Sequence, residues 1–371
     1  MAKETAVEVQ IEGRTLKLTN LEKVLYPEVG FTKGQVIDYY TRIAPVLLPH
    51  TRDHPLTLKR YPNGVDGEFF YEKNCPKHRP PWVQTATVWS GGNNRDMYYC
   101  LCQDLPTLVW LAQIATLEFH TSLSYADKLP EPRTLVFDLD PGPPATIVEC
   151  CRIGLMLRDL FAEHGLECYA KTSGSKGLQL YVPLNTKDTY VETKVVSKGL
   201  AQYFEEKHPD LAVHKQLKEL RTGRVLIDWS QNDQYKTTIN VYSLRARARP
   251  TVSTPVTWDE VEKCLKAKDP SLLVFDSAQV LKRVEKHGDL FEPVLKKKQK
   301  LPKSLLQLTG GRPQVCAPAR HLIEAHPAFL VREIEQTLRC GGETRHLPFV
   351  ARLGDGEDRR NKPRMNEGHL G

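Results

Sequence analysis

The sequence predicts a mixed α/β chain of the α+β kind, and three observations carry that reading. Between residues 134 and 230 strand-like and helix-like segments follow one another as β-α-β-β-α-β, the split βαβ order of ferredoxin-like sheets. Before residue 130 helical and strand signals mix among many prolines. The 371 residues are 40% hydrophobic and 26% charged, enough to bury a core without disulfide staples and unlike a disordered chain.

The elements follow in order. Thr32 is placed to cap a helix whose stripe is Val36, Ile37, Tyr40 and Ile43. Pro62-Asn63-Gly64 reads as a turn and residues 105–117 as a mostly buried helix. Residues 134–140 (TLVFDLD) form a short apolar strand, stopped by Pro141-Gly142-Pro143-Pro144. Next comes a helix with Ile147, Cys151, Gly154, Leu157 and Phe161 on one stripe, ending at His164-Gly165. Strands at 167–172 and 178–184 flank a tight loop at 173–177, followed by a helix at 191–208 and a strand at 224–230 (RVLIDWS). Past Pro250, Thr257-Trp258-Asp259-Glu260 has the pattern of a capping box. The basic run KKKQKLPK occupies 296–303; signals are weak from 304 onward, and 355–371 has a disordered composition.

No run of 18 apolar residues exists, and MAKETAVEVQIEG lacks the apolar stretch of a secretory signal. Nine cysteines, an odd count without framework spacing, point to reduced thiols in a cytoplasm. Cys75, His78, Cys100 and Cys102 do not read as a zinc set, because Cys100 and Cys102 are too close and nothing places them near Cys75. The net charge of +7 permits a nucleic-acid partner without requiring one.

Side chains alternate along a strand, so Val136, Asp138 and Asp140 share one face and Leu135, Phe137 and Leu139 the other. The apolar trio can pack against the two helices, leaving carboxylates about 7 Å apart on the open face. Likewise Leu226, Asp228 and Ser230 oppose Val225, Ile227 and Trp229. First and fourth strands are neighbours in a ferredoxin-like sheet, so Asp138, Asp140 and Asp228 can converge. Such a trio repels itself unless cations neutralise it. Mg²⁺ or Mn²⁺ suits carboxylate oxygens, and two such ions serve phosphoryl transfer. Each Asp taken singly reads equally well as a strand end or a turn cap.

Ser173-Gly174-Ser175-Lys176-Gly177 is glycine-rich and carries a lysine that can reach a phosphate, but it lacks Walker A spacing. A tight hairpin needs glycines anyway. In residues 243–249 (SLRARAR) an extended chain would present Arg245, Arg247 and Arg249 on one face; a solvated edge strand is the alternative. Lys59, Arg60, Arg221 and Arg224 add positive charge, and Phe69, Phe70 and Tyr71 can stack on bases or join the core.

Together these residues resemble the polymerase module of bacterial DNA ligase D, the end-joining branch of the archaeo-eukaryotic primase superfamily. The segments that carry the resemblance are LTNLEKVLYP, TKGQVIDYYTRIAP, LKRYPNGVDGEFFYEKNCPKHRPPWV, LPTLVWLAQIATLEFH, LVFDLDPG, TSGSKGLQLYVPL, RVLIDWSQN and KTTINVYSLRAR. They imply a primase-polymerase domain over 12–300, with an N-terminal α/β portion (12–130), a ferredoxin-like or RRM-like catalytic sheet (131–250) and C-terminal helices (251–300). A basic linker and poorly structured tail (301–371) follow. No Lys-x-Asp-Gly ligase motif is present, which implies a polymerase standing without its ligase.

The resemblance also implies roles. Asp138, Asp140 and Asp228 match the catalytic, metal-binding carboxylates. His120, Ser173, Lys176 and Arg245 match residues around the incoming nucleoside triphosphate, with Lys59, Arg221 and Gln231 as further members. Lys23 and Lys33 match the pair that holds a downstream 5′-phosphate, and Phe70 and Tyr71 the aromatics near the templating base. Implied too are a two-metal Mn²⁺ or Mg²⁺ site, a preference for ribonucleotides, and DNA gaps or broken ends bearing a 5′-phosphate. Ku and a separate ligase are the implied partners of a monomeric, nucleoid-associated bacterial protein with no membrane contact. One departure stands out: superfamily members usually carry a histidine where this chain has Gln179, which can donate a hydrogen bond but carries no charge. That implies weaker triphosphate affinity or a lower rate. Two other readings remain open at this stage: a DNA-end-binding scaffold with little or no activity, and a haloacid-dehalogenase-like phosphatase, whose Asp-x-Asp motif Pro141-Gly142 departs from.

Overall fold

The computed structural model describes residues 6–90 and 94–309. Its centre is a six-stranded sheet in the spatial order Ala212–Val213, Val225–Asp228, Thr134–Pro141, Leu178–Pro183, Tyr169–Thr172, Pro255–Val256. The four inner strands have the ferredoxin-like arrangement, with all their pairings antiparallel. Helices Ile147–Glu163 and Tyr190–Lys207 cover one face. Both begin with a capping box, Thr146 with Glu149 and Thr189 with Glu192, in which each threonine and glutamate satisfies the other's backbone N–H.

Leu135, Phe137 and Leu139 pack with Ile153, Leu157 and Phe161 of the first helix and Val196, Leu200 and Phe204 of the second. The apolar face of the TLVFDLD strand thus lies where alternation predicts. The carboxylate face is not open, however. Val136 and Tyr181 on that face join the other core cluster, with Tyr39, Tyr40, Phe119 and Tyr242. That core belongs to a second sheet, in the order Thr237–Ile239, Thr116–Ser122, Leu56–Arg60, Arg95–Cys100, Thr85–Ser90, with Phe70–Glu72 also paired to Leu56–Arg60. Helix Lys33–Thr51, capped by Thr32 as expected and with Gln35 completing a capping box, packs in the same cluster.

Several expectations need correction. The helix at 105–117 stops at Gln113, and Thr116–Ser122 is a strand; Ala115 sits at φ 63°, a left-handed kink that ends the helix. The strand at 224–230 ends at Asp228, whose carboxylate caps a 3-10 turn over Trp229–Gln231. Residues 243–249 are not an extended strand but a turn, with the Arg247 N–H bonded to the Arg245 carbonyl. Cys75 and Cys100 form a disulfide, against the reduced-thiol reading. The Cys75 N–H bonds the Tyr98 carbonyl at 2.6 Å, which brings together two cysteines that sequence spacing left apart. Packing also extends beyond 12–300 at both ends. Ala6–Ile11 pairs with Arg14–Thr19, and Leu301 and Leu305 are buried in the catalytic-sheet core. The expected disorder at 355–371 lies outside the described residues, and among those described no helix is long and apolar enough to cross a membrane.

Candidate active site

Register decides which side chains meet. Asp138 lies opposite Asp228 on one side and Gln179 on the other, and Gln179 lies opposite Lys171. Directly opposed residues share a face, so Lys171, Gln179, Asp138 and Asp228 form one row across four strands. Asp138, Asp140 and Gln179 line a polar cleft of about 420 Å³. Its other wall comes from the second sheet and the arginine turn: Tyr71, His120, Thr237 to Ile239, Arg245 and Arg247, with Ser173, Ser175 and Gln231 at its ends.

The acidic wall is electrostatically loaded. Burial and the neighbouring Asp140 push the Asp138 carboxyl up to about 8, with Gln179 acting against them as a hydrogen-bond donor. Asp140 is raised by burial and by Asp228, while Arg221 and Arg245 pull it down. The Asp138 Oδ1 is buried without a hydrogen-bond partner. Asp228 is differently placed: its carboxylate accepts from Gln216 Nε2 (2.9 Å), the Ser230 N–H (2.9 Å) and hydroxyl (2.5 Å), and Gln231 Nε2 (3.0 Å). Among the described residues no three His, Cys, Asp or Glu side chains stand at a spacing that holds a metal ion. The three carboxylates are neighbours in backbone register, and Asp228 acts on the other two by its charge, while four donors occupy its own oxygens. Asp138 and Asp140 still fit a hard cation, which would satisfy the orphaned oxygen and relieve the repulsion.

The basic wall is organised by a residue the sequence reading missed. Glu118, only 2% exposed, accepts from His120 Nε2 (3.0 Å) and the Ala246 N–H (3.0 Å), and pairs with Arg245 Nε (3.3 Å) and Lys59 Nζ (3.9 Å). Burial opposes its charge, but the His120 hydrogen bond and the Arg245 charge hold the carboxyl down at about 2. A signal was available: Glu118 and His120 are two apart in the strand TLEFHTS, hence on one face, with Leu117 and Phe119 on the other. Lys59 also lies over the Phe69 ring at 4.2 Å and near Tyr61 and Tyr71, and burial pushes its ammonium down.

The glycine loop closes on Ser173, whose hydroxyl accepts from the Ser175 and Gly177 N–H groups. Gly177 is required by proximity: a Cβ there would sit 2.2 Å from the Leu139 carbonyl. Gly174, at φ +67°, lies against Val252 and Ser253, where a Cβ would meet backbone at 2.6 Å. Arg245 donates to the Ser173 carbonyl and Arg247 to the Ser175 hydroxyl, so two of the three arginines meet the loop while Arg249 is exposed elsewhere.

Other expected residues are not all gathered there. Lys176 is exposed and lines a neighbouring cavity of about 360 Å³ walled by Pro141, Pro143, Leu273 and Phe275. Arg221 donates to the Gln216 carbonyl and acts on Asp140 by its charge. Tyr71 faces the cleft opposite Lys59, whereas Phe70 lies opposite Arg60 on the other face of its strand. Lys23 and Lys33 are joined by a bond from the Lys33 N–H to the Lys23 carbonyl (2.8 Å). Lys23 is exposed with Nζ on Asn63, while Lys33 is buried with Nζ on the Thr19 carbonyl.

A family model described as LigD, primase-polymerase domain, matches residues 32–291. The chain is 41% identical over 282 residues to a multifunctional non-homologous end joining protein LigD of Mycolicibacterium smegmatis, covering 75% of this chain and 36% of that protein. It is 32% identical over 292 residues to a bifunctional non-homologous end joining protein LigD of Bacillus subtilis, covering 78% and 46%. It thus spans between a third and a half of the length of these relatives. Among solved structures, the polymerase domain from Mycobacterium tuberculosis ligase D in complex with DNA superposes with a TM-score of 0.70 at 38% identity, covering 76% of this chain and 99% of that one.

Proposed function

The chain belongs to the LigD primase-polymerase family, and from that premise we propose that it is a DNA-directed nucleotidyltransferase that fills gaps or extends broken ends in DNA repair. The observation that carries this reading is the two-walled cleft, with Asp138 and Asp140 facing His120, Arg245 and Arg247 across about 420 Å³. A phosphoryl-transfer site needs such a division, with carboxylates for cations on one side and donors for phosphate oxygens on the other. The family match leaves the phosphatase reading without support.

In this proposal Asp138 and Asp140 would hold Mg²⁺ or Mn²⁺, with Asp228 as a further carboxylate in the same row. When bound, the metals supply activation of the primer 3′-hydroxyl and stabilisation of the departing pyrophosphate. His120, Arg245, Arg247 and the Ser173 loop orient the triphosphate, and Glu118 keeps His120 and Arg245 in position. Tyr71 and Phe69 offer rings beside the cleft for a base to stack on. Ribonucleotides are the proposed substrates, and Ku and a separate ligase the proposed partners.

The test is extension of 5′-phosphorylated gapped DNA with ribo- and deoxynucleotides, in Mg²⁺ and then Mn²⁺. Incorporation should be strongest with ribonucleotides and Mn²⁺; no incorporation under any of the four conditions would leave only the end-binding scaffold.

Phosphate recognition gives a second expected result. Lys23 is exposed beside the N-terminus of helix Lys33–Thr51, and a helix N-terminus favours an anion through its N–H groups and dipole. Wild-type protein should therefore fill a gap ending in 5′-phosphate faster than one ending in hydroxyl. Replacing Lys23 and Lys33 together by alanine should erase that preference and spare extension on an open template. Lys33→Ala should also lower the melting temperature, since its ammonium is buried on the Thr19 carbonyl. A double variant that still discriminates phosphate from hydroxyl would move the recognition site elsewhere.

A further inference from the structure

Lys171 is a fully buried lysine with 0% exposure, in the strand next to Gln179. Its Nζ has three neighbours at hydrogen-bond distance: Gln179 Oε1 (2.5 Å), Ser253 Oγ (2.7 Å) and the Ile239 carbonyl (3.1 Å). The Ser253 hydroxyl spends its own proton on the Thr172 carbonyl at 3.0 Å, so toward Lys171 it can only accept. All three neighbours are oxygens placed to accept from the Nζ. Burial holds Lys171 well below its ordinary value, with the Asp138 carboxylate opposing and Arg245 adding to the shift.

The direction of the Gln179 amide follows. The Gln179 oxygen accepts from the Lys171 Nζ, which turns the amide NH₂ the other way. The other way is toward Asp138, its opposite neighbour in register, and into the polar cleft that Gln179 lines. Asp138 in turn feels Gln179 as a hydrogen-bond donor.

We propose that Lys171 is a positioning residue of the active site, which locks the Gln179 amide as a donor facing Asp138 and the incoming nucleotide. It also joins the two sheets, because the Ile239 carbonyl belongs to the strand that closes the second one. Residue 179 thereby presents N–H groups to the cleft although it carries no charge, with the Lys171 Nζ one side chain behind it. The inference rests on the nucleotidyltransferase reading for its kinetic test, and direct nucleotide binding keeps the two separable.

The experiment compares wild type, Lys171→Met, Gln179→Ala and the double variant. It measures kcat and nucleotide KM in gap filling, binding of a fluorescent ATP analogue, and thermal melting. Lys171→Met frees the amide to flip, so nucleotide KM and the dissociation constant should each rise about tenfold, with kcat changed less. In the Gln179→Ala background the same replacement should add nothing further, because its effect passes through the amide. A purely structural lysine would give additive losses in both backgrounds, which would overturn the proposal, as would an unchanged KM in a folded Lys171→Met protein. Where Lys171→Met does not fold, Gln179→Glu takes its place: it leaves Lys171 intact and turns the donor into an acceptor. It must itself weaken nucleotide binding at least tenfold, and equal binding would overturn the proposal. A wild type that binds the analogue but incorporates nothing would count against the polymerase reading alone, since the binding comparison still judges Lys171.

Discussion

Asp138→Ala and Asp140→Ala proteins should each lose nucleotide incorporation by about 10³-fold or more, the scale on which removing a preorganised electrostatic partner slows a reaction. DNA binding should largely survive, because lysines and arginines carry it. Stability supplies the second arm. Both carboxyls are half-buried and repel each other, with Asp138 raised to about 8. Removing Asp140 relieves that repulsion without taking a partner from Lys171 or Gln179, so the Asp140→Ala protein should not melt below wild type. Asp228→Ala should be as inactive but should melt lower, because its carboxylate accepts four hydrogen bonds and caps the turn at Trp229–Gln231. Full incorporation by the Asp140→Ala protein would remove the carboxylates from the mechanism.

Glu118 should produce the largest loss of stability. It is the buried anion around which Lys59, His120 and Arg245 are arranged. Replacing it by glutamine leaves cations buried without their counter-charge, which costs about 3–5 kcal/mol. The pH dependence follows from its lowered pKa. In the unfolded chain Glu118 titrates near 4.5, in the folded chain near 2, so its contribution is complete above about pH 4.5 and fades as pH falls toward 2. Two to three pK units correspond to about 3 kcal/mol. Urea unfolding should therefore separate wild type from Glu118→Gln widely at pH 7 and by much less near pH 3. Equal separation at both values would mean that glutamine disturbs the packing rather than the charge. Nucleotide KM should rise in the same variant, since Arg245 and His120 lose their anchor.

Legibility in the sequence followed the range of the interactions. The catalytic sheet could be read because its signals are local: alternation in TLVFDLD and RVLIDWS, stripes in the two helices, and capping threonines. Asp138 and Asp140 could be read for the same reason. Glu118 left only its two-residue spacing from His120 as a local trace, because its significance depends on Arg245 and Lys59, which reach it across a sheet pairing and a turn distant in sequence. Lys171 was hidden likewise, as three acceptors from three separate segments make the buried lysine tolerable. The Asp228 carboxylate was placed correctly by register but not by side chain, since alternation says nothing about competing donors such as Gln216. The Cys75–Cys100 pairing depends on a loop that sequence spacing does not position.

The order of strands in the second sheet bears on how this chain can be divided. Thr237–Ile239 closes that sheet against Thr116–Ser122, yet it comes after all four inner strands of the catalytic sheet. Residues 12–130, which look like a separable N-terminal portion, therefore borrow their last strand from more than 100 positions downstream. A fragment cut near 130 would present Thr116–Ser122 as a bare edge with its N–H and C=O groups unpaired, a template for pairing with a second molecule. Such a fragment should self-associate where the intact chain does not. Adding back a peptide that contains Thr237–Ile239 should suppress the aggregation, because the strands of the two sheets within residues 6–309 interleave in sequence and cannot be exchanged as modules.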